Sequence, residues 1–219
     1  MPQTVYRVDP NHSNLRLAVG FSLVIGFMAG YFGVRLLFSA LGIEGSPLLL
    51  GLLVGALFAV GVSLAAERVL RGRWPSGREL IVTDETVTLH EKTGEKTTLR
   101  WAEDIRVLAW GFTITSRRAW VPKGWICAAL QLAKGDDMVT VYAFMKPEDA
   151  RELPGWQAFV ELIPRKEADR VPELFAEQEP LRVAEEARWW AGAEMEPDDF
   201  RAFAATVAER LPNWPEGGL

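Results

Sequence analysis

Two apolar runs decide the reading of this chain: LAVGFSLVIGFMAGYFGV at Leu17–Val34 and SPLLLGLLVGALFAVGVSLAA at Ser46–Ala66. The first is 18 residues long and the second 21, and neither contains a charge. At about 1.5 Å of rise per helical residue, each can cross a hydrocarbon layer about 30 Å thick. The connection Arg35–Gly45 is too short for a domain. The pair therefore reads as a helical hairpin over 15–68 that enters a bilayer, turns and returns. A cleaved export signal has an apolar core of only about 7–15 residues followed by small residues. Here the core is longer and runs on into Arg35 and a second apolar segment. Ser46-Pro47 supplies an N-cap and a first-turn proline for the second helix.

Small residues recur every four positions on both helices: Ser22, Gly26 and Gly30 on the first, Gly51, Gly55, Ala59 and Ser63 on the second. Such stripes let helix backbones approach closely, and close packing drives association in lipid. The spacing predicts a packing face, either between the two helices or toward another protein. Orientation follows from the basic residues. Arg7 and Arg16 precede the first helix, and Arg68, Arg71, Arg73 and Arg78 crowd the end of the second, whereas the turn offers only Arg35. The positive-inside rule then places both termini in the cytoplasm, with the hairpin in the inner membrane. Arg35 reads as a side chain that snorkels to the far headgroups.

After a linker over 69–78, with Trp74 among its arginines, the periodicity changes. Strands are expected at 79–83, 86–91, 96–101, 105–112, 125–133 and 138–144, with turns at Asp84-Glu85, Lys92–Glu95 and Lys134–Asp137. From Pro147 the spacing becomes helical. Trp156, Phe159, Leu162 and Ile163 fall on one face of a closing helix interrupted at Leu153-Pro154-Gly155. An amphipathic helix over the open end of a bent antiparallel sheet would bury both apolar faces. The expected fold is thus an α+β membrane protein: a cytoplasmic segment 1–14, the hairpin, a sheet domain over 79–163, and a helical acidic tail over 164–219.

The turn Val82-Thr83-Asp84-Glu85-Thr86, the segment Trp101–Ile105 (WAEDI) and the stretch Tyr142–Ile163 (YAFMKPEDARELPGWQAFVELI), placed behind a two-helix hairpin, resemble bacterial membrane-anchored proteins with a PH-like domain of the YcxB-like type. The resemblance spans about residues 15–163. It implies a PH-like antiparallel barrel with a closing helix, and a scaffold or protein-interaction role. Thr113–Gly124 is longer than a compact version of that domain would need, and the closing helix is broken. The resemblance carries over no phosphoinositide site, because no matched basic motif is present.

The net charge of −5 is uneven. Residues 165–219 hold 7 Lys/Arg and 13 Asp/Glu, a balance of −6, and the rest is near neutral at +1. No basic block suits a nucleic acid. The tail offers helices at Val171–Gln178, Leu181–Ala191 and Pro197–Leu211, the last with Phe200, Phe203, Ala204, Val207 and Leu211 on one face. Its aromatic content, Trp189-Trp190 included, favours docking on this chain or a partner over disorder.

One cysteine, Cys127, and two histidines, His12 and His90, exclude an internal disulfide and Cys- or His-rich metal sites. Glu194, Glu196, Asp198 and Asp199 read as helix-start charges, since they lack the glycine-centred loop of a calcium site. No nucleophile elbow, metalloprotease helix or phosphate loop is present. Neither catalysis nor a cofactor is expected.

The expected contact surface is the stretch Trp110–Trp125, where Trp110, Phe112, Trp120 and Trp125 interleave with Arg117, Arg118 and Lys123. Either its basic groups and indoles meet anionic headgroups or a partner, or its tryptophans cap the barrel core beside solvated arginines. Expected partners are the bilayer and either another protein or a second copy. The roles in view are a membrane-anchored scaffold, an accessory subunit of a larger membrane complex, and a membrane enzyme with a dispersed site.

Overall fold

The structure, a computed structural model, describes residues 3–10, 12–43, 48–116 and 121–214. Residues 10–76 form one compact unit, and residues 1–9 with 77–219 form another.

The first unit is the helical pair α1 (Ser13–Ala40) and α2 (Leu48–Arg73). Both are long and apolar enough to cross a membrane. Helix α1 continues six residues past the end of the apolar run, so Arg35 lies within it, exposed. The Ser46-Pro47 cap expected for α2 lies outside the described residues. His12 caps α1: its Nδ1 accepts from the Leu15 amide at 3.3 Å, and its Nε2–H donates to the Trp74 carbonyl at 2.9 Å. That pairing fixes the imidazole tautomer and ties the first turn of α1 to the end of α2.

The small-residue stripes face each other. A β-carbon placed on Gly30 would stand 2.9 Å from the Gly55 α-carbon and from Phe58 Cβ, and one on Gly26 would stand 3.0 Å from the Ala59 α-carbon. The rings of Phe27 and Tyr31 lie over Gly55 and Gly51. Ser63 Oγ donates to the Val19 carbonyl of α1 at 3.4 Å, and Ser22 Oγ bonds the same oxygen at 2.7 Å. The large apolar side chains, among them Phe21, Ile25, Leu49, Leu53 and Leu57, point outward instead. Gly30→Leu should therefore force the helices apart. Overpacking typically costs about 1–3 kcal/mol, and the thermal midpoint of the detergent-purified protein should fall. Gly20→Leu, where nothing lies within 4 Å, should leave it unchanged. Equal midpoints for both variants would refute the packing face.

The second unit is α+β, with one antiparallel and one mixed sheet. Strands β1 (Gln3–Arg7), β2 (Glu79–Thr83), β3 (Thr86–His90) and β4 (Lys96–Arg100) form an antiparallel sheet in that order. Strands β5 (Arg106–Thr113), β6 (Ile126–Lys134) and β7 (Asp137–Met145) form an antiparallel meander. Two short strands, β8 (Val160–Glu161) and β9 (Ala193–Glu194), add to its edges in parallel, giving the order β8-β5-β6-β7-β9. The remaining helices are α3 (Pro147–Arg151), α4 (Pro172–Glu177), α5 (Glu179–Ala191) and α6 (Pro197–Arg210).

Alternation along the first sheet puts Leu80, Val82, Val87, Leu89 and Leu99 into the core. From the second sheet come Ala128, Leu130, Leu132, Val139, Val141 and Ala143, and α6 adds Phe200, Phe203, Ala204 and Val207. The opposite face of the second sheet is covered too. There Trp110 and Ala129 pack with Leu181 and Ala184 of α5. Burial on both faces explains why β6 reads ICAALQLAK, nearly without alternation. Its one interior polar group, Gln131, donates to Thr140 Oγ1 at 2.8 Å.

Three sequence-based boundaries are redrawn. Residues 1–14 are not a segment of their own: Gln3–Arg7 is a full strand on β2, with Gln3 opposite Thr83 and Arg7 opposite Glu79. The apolar hairpin is therefore an insertion between two neighbouring strands. Only Pro147–Arg151 of the expected closing helix is α-helical. The chain then turns through Gly155 at φ 72°, makes one 3-10 turn at Trp156–Ala158 and becomes strand β8. The three-residue spacing of Trp156 and Phe159, which suggested a helix, instead stacks the two rings 5.0 Å apart beside Trp214. Residues 164–219 are not an appended tail, since α5 and α6 cover the second sheet and supply core side chains.

Two of the segments that carry the family resemblance, the turn at Val82–Thr86 and Trp101–Ile105, meet in space. Trp101 Nε1 donates to the Thr83 carbonyl at 3.0 Å, and the Trp101 amide donates to the Glu85 carbonyl at 2.9 Å. Arg210, in the last turn of α6, reaches the same turn through Asp84 Oδ1 at 2.6 Å.

Candidate functional site

The contact surface expected at Trp110–Trp125 divides. Trp110 is fully buried in β5, its Nε1–H donating to Glu185 Oε2 at 2.8 Å, so it is no membrane-surface group. Phe112 and Trp125 are half-buried beside Ile114, Val121 and Cys127. Lys123 is exposed. Arg117, Arg118 and Trp120 lie outside the described residues. The β5–β6 ladder extends by bonds from the Ile114 amide to Trp125 and from the Gly124 amide to Ile114, which holds the base of this loop.

Around Trp110 sits a polar knot that no sequence pattern announced. Arg188 of α5 is 4% exposed, and it makes two 2.7 Å bonds to Glu185, from Nε to Oε2 and from Nη2 to Oε1. Its guanidinium lies 4.4 Å from the Tyr142 ring centroid. Burial, the largest single influence, would pull the Arg188 pKa down, but the Glu185 hydrogen bonds and the charge interactions around the guanidinium together outweigh it and leave the group above its ordinary value. Burial, with the Glu194 carboxylate adding to it, pushes the Tyr142 phenol up. Arginine therefore stays charged and tyrosine neutral. This arrangement fastens a helix to a sheet.

A second knot sits where the sheet unit gives way to the apolar hairpin. Arg78 bonds Asp9 Oδ2 at 2.7 Å, Glu91 Oε1 at 2.6 Å, and the carbonyls of Ala191 and Gly192 at 2.8 and 3.1 Å. Asp9, at φ 56°, bonds Glu194 twice: its amide donates to Glu194 O at 2.7 Å, and its side-chain Oδ1 accepts from the Glu194 amide at 2.9 Å. Asp9 and Arg78 are thereby joined to each other and to the C-terminal end of α5.

A cleft of about 670 Å³ opens beside β5. Strand β8 pairs with β5 only at Trp110 and Gly111. Among the described residues, Arg106–Ala109 thus have a strand neighbour on one side alone, and their other side faces the cleft. By the two-residue period of a strand, the backbone groups of Val107 point the same way as those of Gly111, toward that side. Gln157, Ala158 and the end of α6 through Trp214 complete the walls. Two of the charges at the rim are paired, Glu103 with Lys134 at 2.9 Å and Arg210 with Asp84, and Asp104 and Arg106 also line it. The Lys134 ammonium holds the Glu103 carboxyl below its usual range. Such a cleft can bind, through an unextended sheet edge and an indole wall. Strand 105–112 and helix 197–211 were each visible in the sequence, but nothing there places them side by side.

Of the acidic residues expected as helix-start charges, Glu196, Asp198 and Asp199 lie at the start of α6, where Asp198 pairs with Arg201 at 3.3 Å and burial raises the Asp199 carboxyl, whereas Glu194 belongs to strand β9. Among the described residues, no three His, Cys, Asp or Glu side chains stand close enough to hold a metal ion. No protein-family model, no curated protein and no solved structure matches the chain.

Proposed function

We propose that this chain is a membrane-anchored interaction module: a PH-like domain on the cytoplasmic face of the inner membrane, held by a two-helix transmembrane hairpin and without catalysis of its own. The observation that carries this reading is the insertion of the hairpin between two paired strands. Because β1 and β2 belong to one folded sheet, a hairpin that crosses a bilayer must bring both ends back to the same side. The basic residues Arg68, Arg71 and Arg73 at the end of α2 support the cytoplasmic side. The PH-like reading is supported by the order of elements: a four-stranded antiparallel sheet, a three-stranded meander and a helix, α6, packed into the core between them. The helix that closes the core is then α6 and not the segment at 147–163.

The interaction role is supported by the cleft. An exposed sheet edge beside an apolar wall suits an extended peptide, which adds as a strand and is read by side-chain pockets. A photo-crosslinking residue at the exposed Gln157 should give a discrete protein adduct in membranes from intact cells, while one at Lys92, away from the cleft, should not. Adducts of equal yield at both positions, or recovery of the chain in the supernatant of a detergent-free lysate, would sink the reading.

One observation favours the second reading, an accessory subunit of a membrane complex. The outer surface of α2 carries a depression of about 410 Å³ lined by Val54, Leu57, Phe58, Gly61, Val62 and Ala65. A neighbouring helix would fit such a notch. Purification in mild detergent separates the two: a stoichiometric assembly with a different chain supports the subunit reading, and a monomer or homo-oligomer opposes it.

A further inference from the structure

We propose that Trp189 and Trp190, at the end of α5, form a second contact with the bilayer, seated in its headgroup layer beside the hairpin anchor. This rests on the reading that α1 and α2 span a membrane. The two indoles are 59% and 81% exposed, and Val183, one to two turns earlier, is 60% exposed. They form the outer face of a helix whose inner face is committed to the second sheet through Leu181, Ala184 and Arg188.

What identifies the occupant is where this face is tied. Ala191 and Gly192, the residues after the indoles, accept hydrogen bonds from Arg78, and Glu194 exchanges bonds with Asp9. Asp9 and Arg78 are the last folded residues before the chain leaves for the hairpin and the first after it returns. Helix α1 begins four residues beyond Asp9, and α2 ends five residues before Arg78. At roughly 3.3–3.6 Å per extended residue, those tethers reach about 14 and 18 Å at most. The helices are 28 and 26 residues long, so roughly 40 Å each, enough to fill the hydrocarbon and headgroup layers together. Asp9 and Arg78, which bond the residues that follow the indoles, are therefore tethered within a short reach of the layer in which indoles are favoured, with their apolar rings among the acyl-chain ends and their N–H groups toward water.

Charge selects the kind of surface. Residues 165–219 carry a balance of −6, and α5 holds Glu179, Glu185 and Glu186 against Arg182 and Arg188. This face adds no attraction for anionic headgroups, so the contact depends on the indoles and should form on a zwitterionic surface.

The test uses full-length protein reconstituted into phosphatidylcholine vesicles. Emission of the Trp189→Phe/Trp190→Phe double variant is subtracted from that of the wild type, which isolates the two indoles. With phosphatidylcholine brominated near the headgroup end of its chains, the difference emission should be mostly lost. In unbrominated vesicles it should resist aqueous iodide. Adding anionic lipid should not increase the bromine quenching. Both indoles are exposed, so phenylalanine at either position leaves the core untouched, and Trp190→Phe alone provides an independent subtraction. Difference emission that is quenched by iodide and spared by bromine overturns the proposal, as does quenching that appears only with anionic lipid. An alkaline wash separates the two levels of the argument. Protein that stays with the vesicles but shows no bromine quenching overturns this contact alone, whereas protein released by the wash overturns the hairpin anchor and this contact with it.

Discussion

A chain ended after Ile163 is expected not to fold, even though it retains every strand of both antiparallel meanders. The missing part includes Leu181, Met195, Phe200, Phe203 and Val207, all buried to 2% exposure or less. Burying one such side chain is worth about 1.5–3 kcal/mol. Five of them together amount to roughly 8–15 kcal/mol, comparable with the whole net stability of a typical domain, about 5–15 kcal/mol. The deletion also strips β9 from the edge of β7 and uncovers the face of the second sheet that bears Trp110. The milder form of the experiment is Phe203→Ala, which leaves a cavity against Tyr6, whose ring lies 6.3 Å away edge-on, and should cost about 3–5 kcal/mol. Denaturant midpoints of the full-length protein in detergent measure the point variant, and resistance of the sheet unit to protease measures the truncation. A truncated chain that kept a protected 79–163 core would return residues 164–219 to the status of an appendage.

The second large effect is expected at Arg188. Its guanidinium is almost fully buried, while the Glu185 side chain is 25% exposed. Arg188→Met keeps much of the volume but leaves the Glu185 carboxylate in a partly dry site without its cation. Breaking a buried pair from one side typically costs about 3–5 kcal/mol, and the access Glu185 has to water places this site toward the lower end. Adding Glu185→Gln should recover part of the loss. The amide oxygen still accepts from Trp110 Nε1, and no uncompensated charge remains. Glu185→Ala should not recover it, because the buried indole N–H then loses its acceptor, a penalty of about 1–3 kcal/mol. The double-mutant cycle is read from denaturant midpoints. If Arg188→Met/Glu185→Gln proves no more stable than Arg188→Met alone, the uncompensated Glu185 charge is not what makes the loss of Arg188 costly.

Both predictions concern residues whose importance was hidden in the linear chain, and the reason is physical. Strand β6 and helix α6 were visible as periodic apolar patterns, since period and length report local geometry directly. Arg188 appeared as an ordinary basic residue in an acidic helix, because burial depends on what covers a side chain. Trp110 and Phe112 looked like part of an aromatic, basic loop. Their strand continues the ladder to Ile114, and α5 closes over Trp110 from 75 positions away. The closing helix was misplaced for a related reason. Spacings of three and four suit a helix, yet Leu153-Pro154-Gly155 breaks the backbone, and a 3-10 turn followed by a strand buries the same rings. The small-residue stripes were the most fully legible feature, because a β-carbon that is absent in sequence is absent in space. Only their direction, toward each other, awaited the structure.

By itself the sequence determined what depends on nearest neighbours along the chain: two uninterrupted apolar helices, the period-two strands, the turns at their glycines and the charge that marks one end of the hairpin. The tertiary structure alone decided that Gln3–Arg7 is the edge strand on Glu79–Thr83, that α5 and α6 supply core side chains, and that Arg106–Ala109 of β5, among the described residues, have no strand on the side of a cleft. Those contacts join residues far apart in the chain, 72 positions for Arg7 and Glu79 and 197 for Tyr6 and Phe203. Their free energy comes from excluding water between surfaces that the chain brings together only on folding, and no local pattern encodes which surfaces will meet.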